Sequence, residues 1–395
     1  MLRVGPPTRD GDVIYSISKE DTDKLNEILR NYEDRFSTFG KWTNVSAILH
    51  RDSSKVPKVQ KFRRLPPLLQ KKVDVEIDKL IELDIIEAVT SPPTWVNPLV
   101  VVKKSDDSIR LCVDMREANE AIIRQPYQIP TLDEMLQEFN GCKVFAKLDL
   151  NKGYHQIELD KDSRDLTAFA CHRGIFRYKR LIQGASPASE ICQRELELIL
   201  TGLQRVRNIS DDIIIGGLDN KDLLENCKRT LQRLREHNVS INKKKCEFLK
   251  TELIYMGHRL SGDGVSPDPS RIAAITALKS PNNVSELRSF LGMVTYCSRF
   301  IPNYASLTNP LRTLIKQNVE WNWDKSHEKA FNDLKQLLSS ADVLAYYNHS
   351  AETKIITDAS PIGLGSVILQ KQSDNTWKPI SYASRALTSV EQKYS

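Results

Sequence analysis

Long apolar runs and paired cysteines are both missing from this 395-residue sequence. No apolar stretch approaches the roughly 20 residues that cross a bilayer, and residues Met1 to Pro7 lack the apolar segment of a signal peptide. The seven cysteines occur singly, without the close spacing typical of zinc sites or disulfide-rich domains. We therefore expect no membrane partner and a reducing intracellular setting, either cytoplasmic or nuclear.

A strong excess of one charge is also missing. Lysine and arginine number 57 against 51 aspartates and glutamates, which gives a net charge of +6 and a pI near 8.8. This mild bias permits a nucleic-acid partner without requiring one. Hydrophobic residues make up 40% of the chain, enough for the cores of two or three domains, and no internal repeat or low-complexity tract is present.

The first chemical signal is a pair of adjacent acids, Asp211 and Asp212, within the stretch NISDDIIIGG of residues 208–217. Its apolar β-branched residues and final glycines predict a strand, a tight turn and a second strand. Such acid pairs are common at turns for structural reasons alone, because both residues satisfy turn backbone. Burial beside a core, however, is costly unless a cation or hydrogen bonds neutralise the charges. A divalent metal would do so.

A third acid makes the metal interpretation more specific. Residues 144–150, VFAKLDL, predict a buried strand with Asp149 at its exit. If this strand lies beside the Asp211–Asp212 hairpin, three carboxylates meet at one edge of a sheet. That arrangement outlines a two-metal phosphoryl-transfer site.

Three cations lie at the tip of another predicted hairpin. Residues 99–104 and 109–113 read as its two strands, with Lys103, Lys104 and Arg110 near the turn. Cations at such a position are often only solvated protection of a sheet edge. Opposite a carboxylate cluster, they would instead hold a triphosphate.

The remaining pattern predicts a mixture of helices and strands, and residues 1–60 receive no function. Helices are predicted over 18–32, 68–84, 133–140, 186–200, 223–234, 268–278, 284–299, 304–317 and 325–339. In the helix over 186–200, Pro187 is predicted at the first helical position. Further strands are predicted over 85–89, 166–171, 175–178, 354–360, 363–369 and 379–383, and residues 253–258 predict a strand that ends in a turn.

The order of these motifs resembles the palm of reverse transcriptases, above all those of gypsy-type LTR retrotransposons. The resemblance rests on KLDLNKGYHQI at 147–157, QG at 183–184 before a helix, and SDD at 210–212. Flanking matches are RRLP at 63–66, IIE at 85–87, RLCVDMR at 110–116, YMGH at 255–258, LRSFLGM at 287–293 and RFIP at 299–302. TDAS at 357–360 and GLG at 363–365 are similar to the opening strands of the attached RNase H domain.

The resemblance implies an α+β right-hand polymerase with fingers, palm and thumb, a ferredoxin-like palm, and the start of an RNase H-like α/β domain. The implied divisions are an N-terminal extension over 1–60, fingers and palm over 61–257, a helical thumb and connector over 258–350, and a truncated RNase H-like part over 351–395. The implied activity is RNA-directed DNA synthesis from a primer, with a template–primer duplex and deoxynucleoside triphosphates as partners. Localisation in a virus-like particle or the nucleus would follow. The oligomeric state is left open.

The resemblance also assigns roles to matching residues. Three acids would hold two Mg²⁺ ions, with Mn²⁺ as an alternative: Asp149, Asp211 and Asp212. Tyr154 would act as a steric gate against a 2′-hydroxyl, although a packed aromatic beside a turn is the simpler alternative. Met256 and Gly257 would grip the primer. The residues expected at the nucleotide and its phosphates are Lys103, Lys104, Arg110, Gln183, Lys244 and Lys245.

Departures from the family pattern leave two other functions open. Ile209 stands where relatives place an aromatic, and Ser189 and Cys192 alter the helix after Gln183-Gly184, with the proline moved to Pro187. A decayed retroelement fragment that binds duplex without synthesis is therefore one alternative. A metal-dependent nuclease is the other.

The last part of the chain contains one acid that matches an RNase H metal ligand, Asp358, whereas the family's next carboxylates fall beyond the given sequence. We expect no RNA cleavage by this chain. Protease, zinc-knuckle and integrase motifs are not found in it. The sequence therefore reads as an excerpt of a longer polyprotein or as a truncated copy.

Overall fold

The computed structural model describes residues 18–104 and 107–393. The expectations for residues Met1 to Pro7, for the hairpin-tip residues Ser105 and Asp106, and for the final Ser395 lie outside the described residues. The described part is built from helices α1–α11 and strands β1–β17, in the mixed α and β order that the sequence predicts.

The N-terminal half combines short helices with a five-stranded sheet of order β2-β8-β7-β3-β4. Its helices are α1 (Lys19–Asn31), α2 (Asp34–Ser37), α3 (Pro67–Glu82), α4 (Arg116–Asn119) and α5 (Leu132–Leu136). Its strands are β1 (Ser46–Ala47), β2 (Ile86–Ala88), β3 (Asn97–Lys103), β4 (Ile109–Val113), β6 (Glu158–Leu159), β7 (Phe169–Cys171) and β8 (Gly174–Tyr178), while β5 (Val144–Asp149) belongs to the next sheet. A capping box between Ser18 and Asp21 begins α1, as expected where a serine precedes an acid at this spacing.

The central sheet has four antiparallel strands in the order β11-β5-β10-β9. The further elements of this unit are α6 (Ala188–Leu200), β9 (Val206–Ile209), β10 (Asp212–Gly217), α7 (Asn220–Glu236) and β11 (Glu247–Lys250). Helix α6 contacts β9, and α7 contacts β5 and β10. This β-α-β-β-α-β order with its strand arrangement is the ferredoxin-like topology that the resemblance implies.

The C-terminal half begins with a three-stranded sheet of β12 (Glu252–Tyr255), β13 (His258–Ser261) and β14 (Gly264–Pro267). This sheet is continuous across the predicted domain boundary at residue 257. The helices that follow are α8 (Pro269–Thr276), α9 (Val284–Tyr296), α10 (Tyr304–Leu314) and α11 (Lys325–Ser339). A last antiparallel sheet contains β15 (Thr353–Ala359), β16 (Gly363–Lys371) and β17 (Trp377–Ala386).

The central sheet is covered on both faces, and its two inner strands, β5 and β10, are largely apolar and buried. Along β10, Ile213 and Ile215 belong to a first hydrophobic core, which lies under the N-terminal half, while Ile214 belongs to a second core. Phe145 on β5 also joins the second core, which contains residues of β12–β14 and α8–α11. A continuous apolar run, rather than an alternating one, is the pattern of a strand covered on both sides.

The predicted elements have counterparts in the structure, with small corrections at their ends. Helix α6 begins at Ala188 and Pro187 is its N-cap, so the prediction of proline at the first helical position was wrong by one residue. The strand predicted to end in a turn within 253–258 does so, because β12 ends at Tyr255 and the Met256–Gly257 turn leads to β13 at His258. No helix in the described ranges is long and apolar enough to cross a membrane.

Candidate active site

The three acids predicted to bind metal meet at one end of the central sheet. Asp149 on β5 lies directly opposite Asp212 on β10. Asp212 also begins the strand after the turn, where its partner on β9 is Ile209. Asp211 lies in that turn, and its carbonyl oxygen accepts the Leu150 N–H at 3.1 Å. The register of one antiparallel sheet therefore brings the three acids to the same edge.

Negative charge is concentrated at this edge. Burial raises the pKa of Asp212, and the charges of Asp211 and Asp149 raise it further, against the opposing effect of Lys147 and Lys245. Lys147 Nζ lies 3.7 Å from an Asp212 carboxylate oxygen, and Lys245 Nζ lies 3.1 Å from one of Asp149. Three carboxylates thus face two ammonium groups, a balance that favours an additional cation.

The carboxylates fit a hard divalent cation by their chemistry, since Mg²⁺ and Mn²⁺ prefer oxygen ligands. As the side chains stand, no three His, Cys, Asp or Glu side chains within 18–104 and 107–393 are gathered closely enough to hold a metal ion. Asp149 instead has Lys245 as its partner.

A cavity of about 710 Å³ opens beside the acids. Its wall contains Asp149 and Asp211 together with five residues predicted at the nucleotide: Lys104, Arg110, Tyr154, Gln183 and Lys245. The other two residues predicted there, Lys103 and Lys244, are not part of this wall. The tertiary structure therefore brings most of the predicted nucleotide site together.

Alternation along the β3–β4 hairpin separates its cations. Arg110 lies opposite Val102 in the ladder. Because successive side chains on a strand point to opposite faces, Lys104 shares the face of Val102 and Arg110, and Lys103 does not. Lys104 and Arg110 both line the cavity, together with the neighbouring β4 residues Ile109 and Leu111.

A second group of lysines forms a short 3₁₀ helix, Lys243–Lys245, and the three side chains have different surroundings. Lys243 pairs with Glu33 at 2.7 Å, whereas Lys245 turns to Asp149. Lys244 between them is exposed to solvent. Adjacent residues on so tight a helix point in different directions, which explains why only one of them reaches the acids.

Tyr154 lies in a 3₁₀ helix, Gly153–Gln156, close behind β5. Its phenol oxygen is 3.0 Å from Ser210 Oγ in the acid turn and 3.4 Å from Ser189 Oγ on α6. The ring packs partly against the first core and also lines the cavity. Gly153 lets the 3₁₀ helix lie close to the acid turn, because a Cβ at this position would lie 3.2 Å from the Asp211 Cβ. The ring is therefore tied to both elements that surround the acids.

Gln193 on α6 is a site residue that the sequence interpretation missed. Its side chain is completely buried. The amide oxygen accepts the Ser210 N–H at 2.6 Å, and the amide nitrogen donates to the Asn208 carbonyl oxygen at 3.0 Å and to Glu197 at 2.8 Å. A glutamine among the apolar residues of a helix is a readable signal, because a buried amide needs hydrogen-bond partners.

The predicted primer-contacting residues, Met256 and Gly257, form the turn between β12 and β13. Both have positive φ, 45° and 66°, as a two-residue hairpin turn of this kind requires. The Tyr296 hydroxyl donates to the Met256 carbonyl oxygen. The Arg271 guanidinium stacks over the Tyr296 ring, 4.0 Å from its centre. A side chain at Gly257 would meet Arg271 Nη2 at 2.9 Å, so the turn, Tyr296 and Arg271 form one packed group.

Asp358 lies on β15, far along the chain from the three acids. It pairs with Gly365 on β16 and helps to line a separate cavity of about 680 Å³. Among the described residues that line this cavity, Asp358 is the sole carboxylate. In the described part of the chain, the predicted RNase H ligand therefore has no second acid with it on the wall of this cavity.

Two family models match this sequence. Residues 102–260 match the family described as reverse transcriptase (RNA-dependent DNA polymerase), and residues 323–395 match the RNase H-like domain found in reverse transcriptase. Similar proteins include the Tf2-3 and Tf2-7 transposon polyproteins of Schizosaccharomyces pombe, each 32% identical over 333 residues. These alignments cover 84% of this chain and 25% of each polyprotein, so the chain spans about a quarter of their length.

Solved structures with a similar fold include foamy viral protease–reverse transcriptases. One, in complex with double-stranded DNA, has a TM-score of 0.85 at 22% identity and covers 96% of this chain and 67% of that chain. Another, in complex with an RNA/DNA hybrid, has a TM-score of 0.82 at 21% identity and covers 96% and 51% of the two chains. This likeness confirms the predicted fold class.

Proposed function

Since this chain carries a reverse transcriptase domain followed by an RNase H-like region, we propose that it is an RNA-directed DNA polymerase. It copies an RNA or DNA template by adding deoxynucleotides to the 3′ end of a primer. The observation that carries the proposal is the sheet register that places Asp149 opposite Asp212, with Asp211 in the adjoining turn. Nucleotidyl transfer by two metals needs such a carboxylate edge beside a phosphate-binding cavity.

The metal-binding residues in this proposal are Asp149, Asp211 and Asp212. They would hold two divalent ions, Mg²⁺ or Mn²⁺, which when bound activate the primer hydroxyl and neutralise the triphosphate. The protein's own part is to place Asp149 and Asp211 on the cavity wall, with Asp212 paired beside Asp149 in the sheet. Burial raises the pKa of Asp212, and the charges of Lys147 and Lys245 partly offset that rise.

The cavity residues position the nucleotide in this proposal. Arg110 and Lys104 neutralise its phosphates, the former as a planar fork and the latter as a point charge. Gln183 contacts the nucleotide. The Tyr154 ring, held by Ser210, excludes a ribose 2′-hydroxyl and so favours deoxynucleotides.

A template–primer duplex is the proposed macromolecular partner. The similar foamy viral enzymes were solved with double-stranded DNA and with an RNA/DNA hybrid, and we extend that ligand class to this chain. Met256 and Gly257 would contact the primer strand, and helices α8–α11 would hold the duplex through its backbone. The 395-residue chain is expected to leave the RNA strand of a hybrid uncut, because Asp358 is the sole carboxylate among the described residues that line its cavity.

Primer extension on an RNA template with Mg²⁺ tests the proposed activity. We expect Asp211→Asn to lower the rate by at least about a hundredfold, because it removes a charged ligand that stabilises the transition state. Asp263→Asn is the matched control, since Asp263 is an exposed acid next to another hairpin turn, between β13 and β14. Equal extension by the wild type and Asp211→Asn would refute the proposal.

Duplex binding without synthesis is the second candidate function. It is favoured by the pairing of Asp149 with Lys245 and by Ile209 in place of the family's aromatic. Under this alternative, the chain retains a labelled template–primer in a filter or gel assay but extends no primer at any Mg²⁺ or Mn²⁺ concentration. Extension by the wild-type chain excludes it.

A further inference from the structure

A buried tyrosine connects the two turns that the proposed reaction must hold together. Tyr255 ends β12 and is completely buried in the second core. Its hydroxyl accepts the Ile209 N–H at 3.0 Å and donates to the Asp212 carbonyl oxygen at 3.0 Å. Ile209 and Asp212 face each other across the last rung before the acid turn. One hydroxyl therefore bridges both ends of that turn.

The backbone of Tyr255 leads directly into the Met256–Gly257 turn. Tyr255 pairs with His258 across this turn and is the residue directly before Met256. The ring of His258 contacts the Met256 carbonyl oxygen through Nδ1 at 2.8 Å, which further fixes the turn. Because the tyrosine ring is stiff and buried, it acts as a spacer of constant length between the two turns.

The acid turn carries Ile209 and has no aromatic side chain of its own at that position. An aromatic reaches the Ile209 backbone from β12 instead. A buried hydroxyl with both its donor and its acceptor role satisfied holds its partners in a defined geometry.

We propose that Tyr255 is a positioning residue that sets the distance between the Asp211–Asp212 turn and the turn expected to carry the primer end. What the two turns bind rests on the proposed function. How the two turns are joined rests on the hydrogen bonds of the Tyr255 hydroxyl. Misplacing reacting groups by a small distance slows chemistry more than it weakens nucleotide binding. Loss of the hydroxyl is therefore expected to affect kcat rather than the nucleotide KM.

Tyr255→Phe tests this role because it keeps the ring and removes only the bridging hydroxyl. Tyr346→Phe is the matched control, since Tyr346 is also buried in the second core and donates one hydrogen bond, to the Ser261 carbonyl oxygen at 3.0 Å. In primer extension we expect kcat of Tyr255→Phe to fall about tenfold or more, with the nucleotide KM changed by less than about twofold. Tyr346→Phe should match the wild type, and an unchanged kcat for Tyr255→Phe would overturn the inference.

Two further measurements do not depend on activity. In the intact chain, hydrogen exchange at the Ile209 amide should become about tenfold faster in Tyr255→Phe than in Tyr346→Phe. Mn²⁺ affinity, measured by electron paramagnetic resonance, should fall in Tyr255→Phe alone. If both properties are equal in the two variants, Tyr255 does not position the turn. If the wild type extends no primer while Ile209 exchange and Mn²⁺ affinity do respond, the proposed function fails and the positioning role stands.

Discussion

At the level of single residues, Asp212 shows how position changes the chemistry of a side chain. Its neighbour Asp211 lies in the turn and lines the cavity, whereas Asp212 belongs to β10 and is partly desolvated. Burial therefore raises the pKa of Asp212, with Asp211 and Asp149 adding to the effect. The structure tolerates this cost at the one edge where a cation is expected to bind.

The raised pKa of Asp212 predicts a pH-dependent stability. Because the folded chain holds this proton more tightly than the unfolded chain, the stabilisation is present below the unfolded pKa of about 3.8 and is lost as pH rises through the folded value. Asp212→Asn remains neutral, so its free energy of unfolding relative to the wild type should increase as pH rises from about 3 to 7. Denaturant unfolding with a chelator present measures this difference.

Asp374 provides a control of opposite sign. Hydrogen bonds from Thr376 lower the pKa of Asp374, so its contribution to stability is present above the unfolded pKa and is lost as pH falls through the folded value. Relative to the wild type, Asp374→Asn should lose stability as pH rises. A difference for Asp212→Asn that runs in the same direction as that for Asp374→Asn would contradict the assignment.

At the level of elements, the β3–β4 hairpin separates functional cations from a solvated one. Arg110→Ala is expected to raise the nucleotide KM by about tenfold to a hundredfold, because it removes a charged partner of the phosphates. Lys103→Ala should leave KM near the wild-type value, since Lys103 is not part of the cavity wall. Steady-state kinetics with varied nucleotide concentration compares the two variants. Equal effects of the two substitutions on KM would mean that lining the cavity does not decide which hairpin cation contacts the nucleotide's phosphates.

Strand β10 ends with glycines because other elements approach its backbone closely. A Cβ at Gly217 would lie 2.5 Å from the backbone nitrogen of Leu223 at the start of α7. Backbone cannot move aside as a flexible side chain can, so Gly217→Ala should lower the free energy of unfolding by about 1–3 kcal/mol. Gly292→Ala on the exposed side of α9 meets nothing within 4 Å and should raise it by up to about 1 kcal/mol. Urea unfolding of both variants gives the comparison, and a neutral Gly217→Ala would contradict the packing argument.

At the level of the whole molecule, the two hydrophobic cores share the central sheet. Ile214 and Phe145 extend from this sheet into the second core, so the helical C-terminal half is anchored directly behind the acids. The β12–β13 hairpin lies in the same core, which explains how Tyr255 reaches the acid turn. A duplex held by α8–α11 would therefore be kept in register with the carboxylates by this packing together with the Tyr255 hydrogen bonds.

Because the net charge is only +6, binding of the proposed template–primer duplex is expected to depend on a few well-placed cations. Arg271, stacked on Tyr296 beside the Met256–Gly257 turn, is one candidate. Arg271→Gln should weaken template–primer binding and reduce the slope of log affinity against log salt by about 1. Fluorescence anisotropy across a salt series measures both. Arg229→Gln removes a cation that is paired with Glu225 on α7 and should leave the slope unchanged. An equal reduction of the slope by Arg229→Gln would mean that Arg271 has no specific role in duplex binding.

The elements and the identity of the acids were predictable because their signals are local. Apolar runs ending in Asp149 and flanking Asp211–Asp212 indicated strands, and periodic apolar residues indicated the helices after Pro267. The roles of Lys103 and Lys244 remain predictions that the cavity geometry does not favour. Adjacent lysines look alike in sequence, and only the direction of each side chain distinguishes them.

The sequence by itself determined which residue types are present at the acid edge and on which elements they lie, because hydrophobic periodicity and turn residues act over a few positions. The tertiary structure alone decided what holds that edge in place. Gln193 and Tyr255 come from α6 and β12, yet both bind the backbone around one turn. A buried glutamine such as Gln193 signals that hydrogen-bond partners exist, but which backbone groups Gln193 and Tyr255 bind depends on how two cores pack against one sheet.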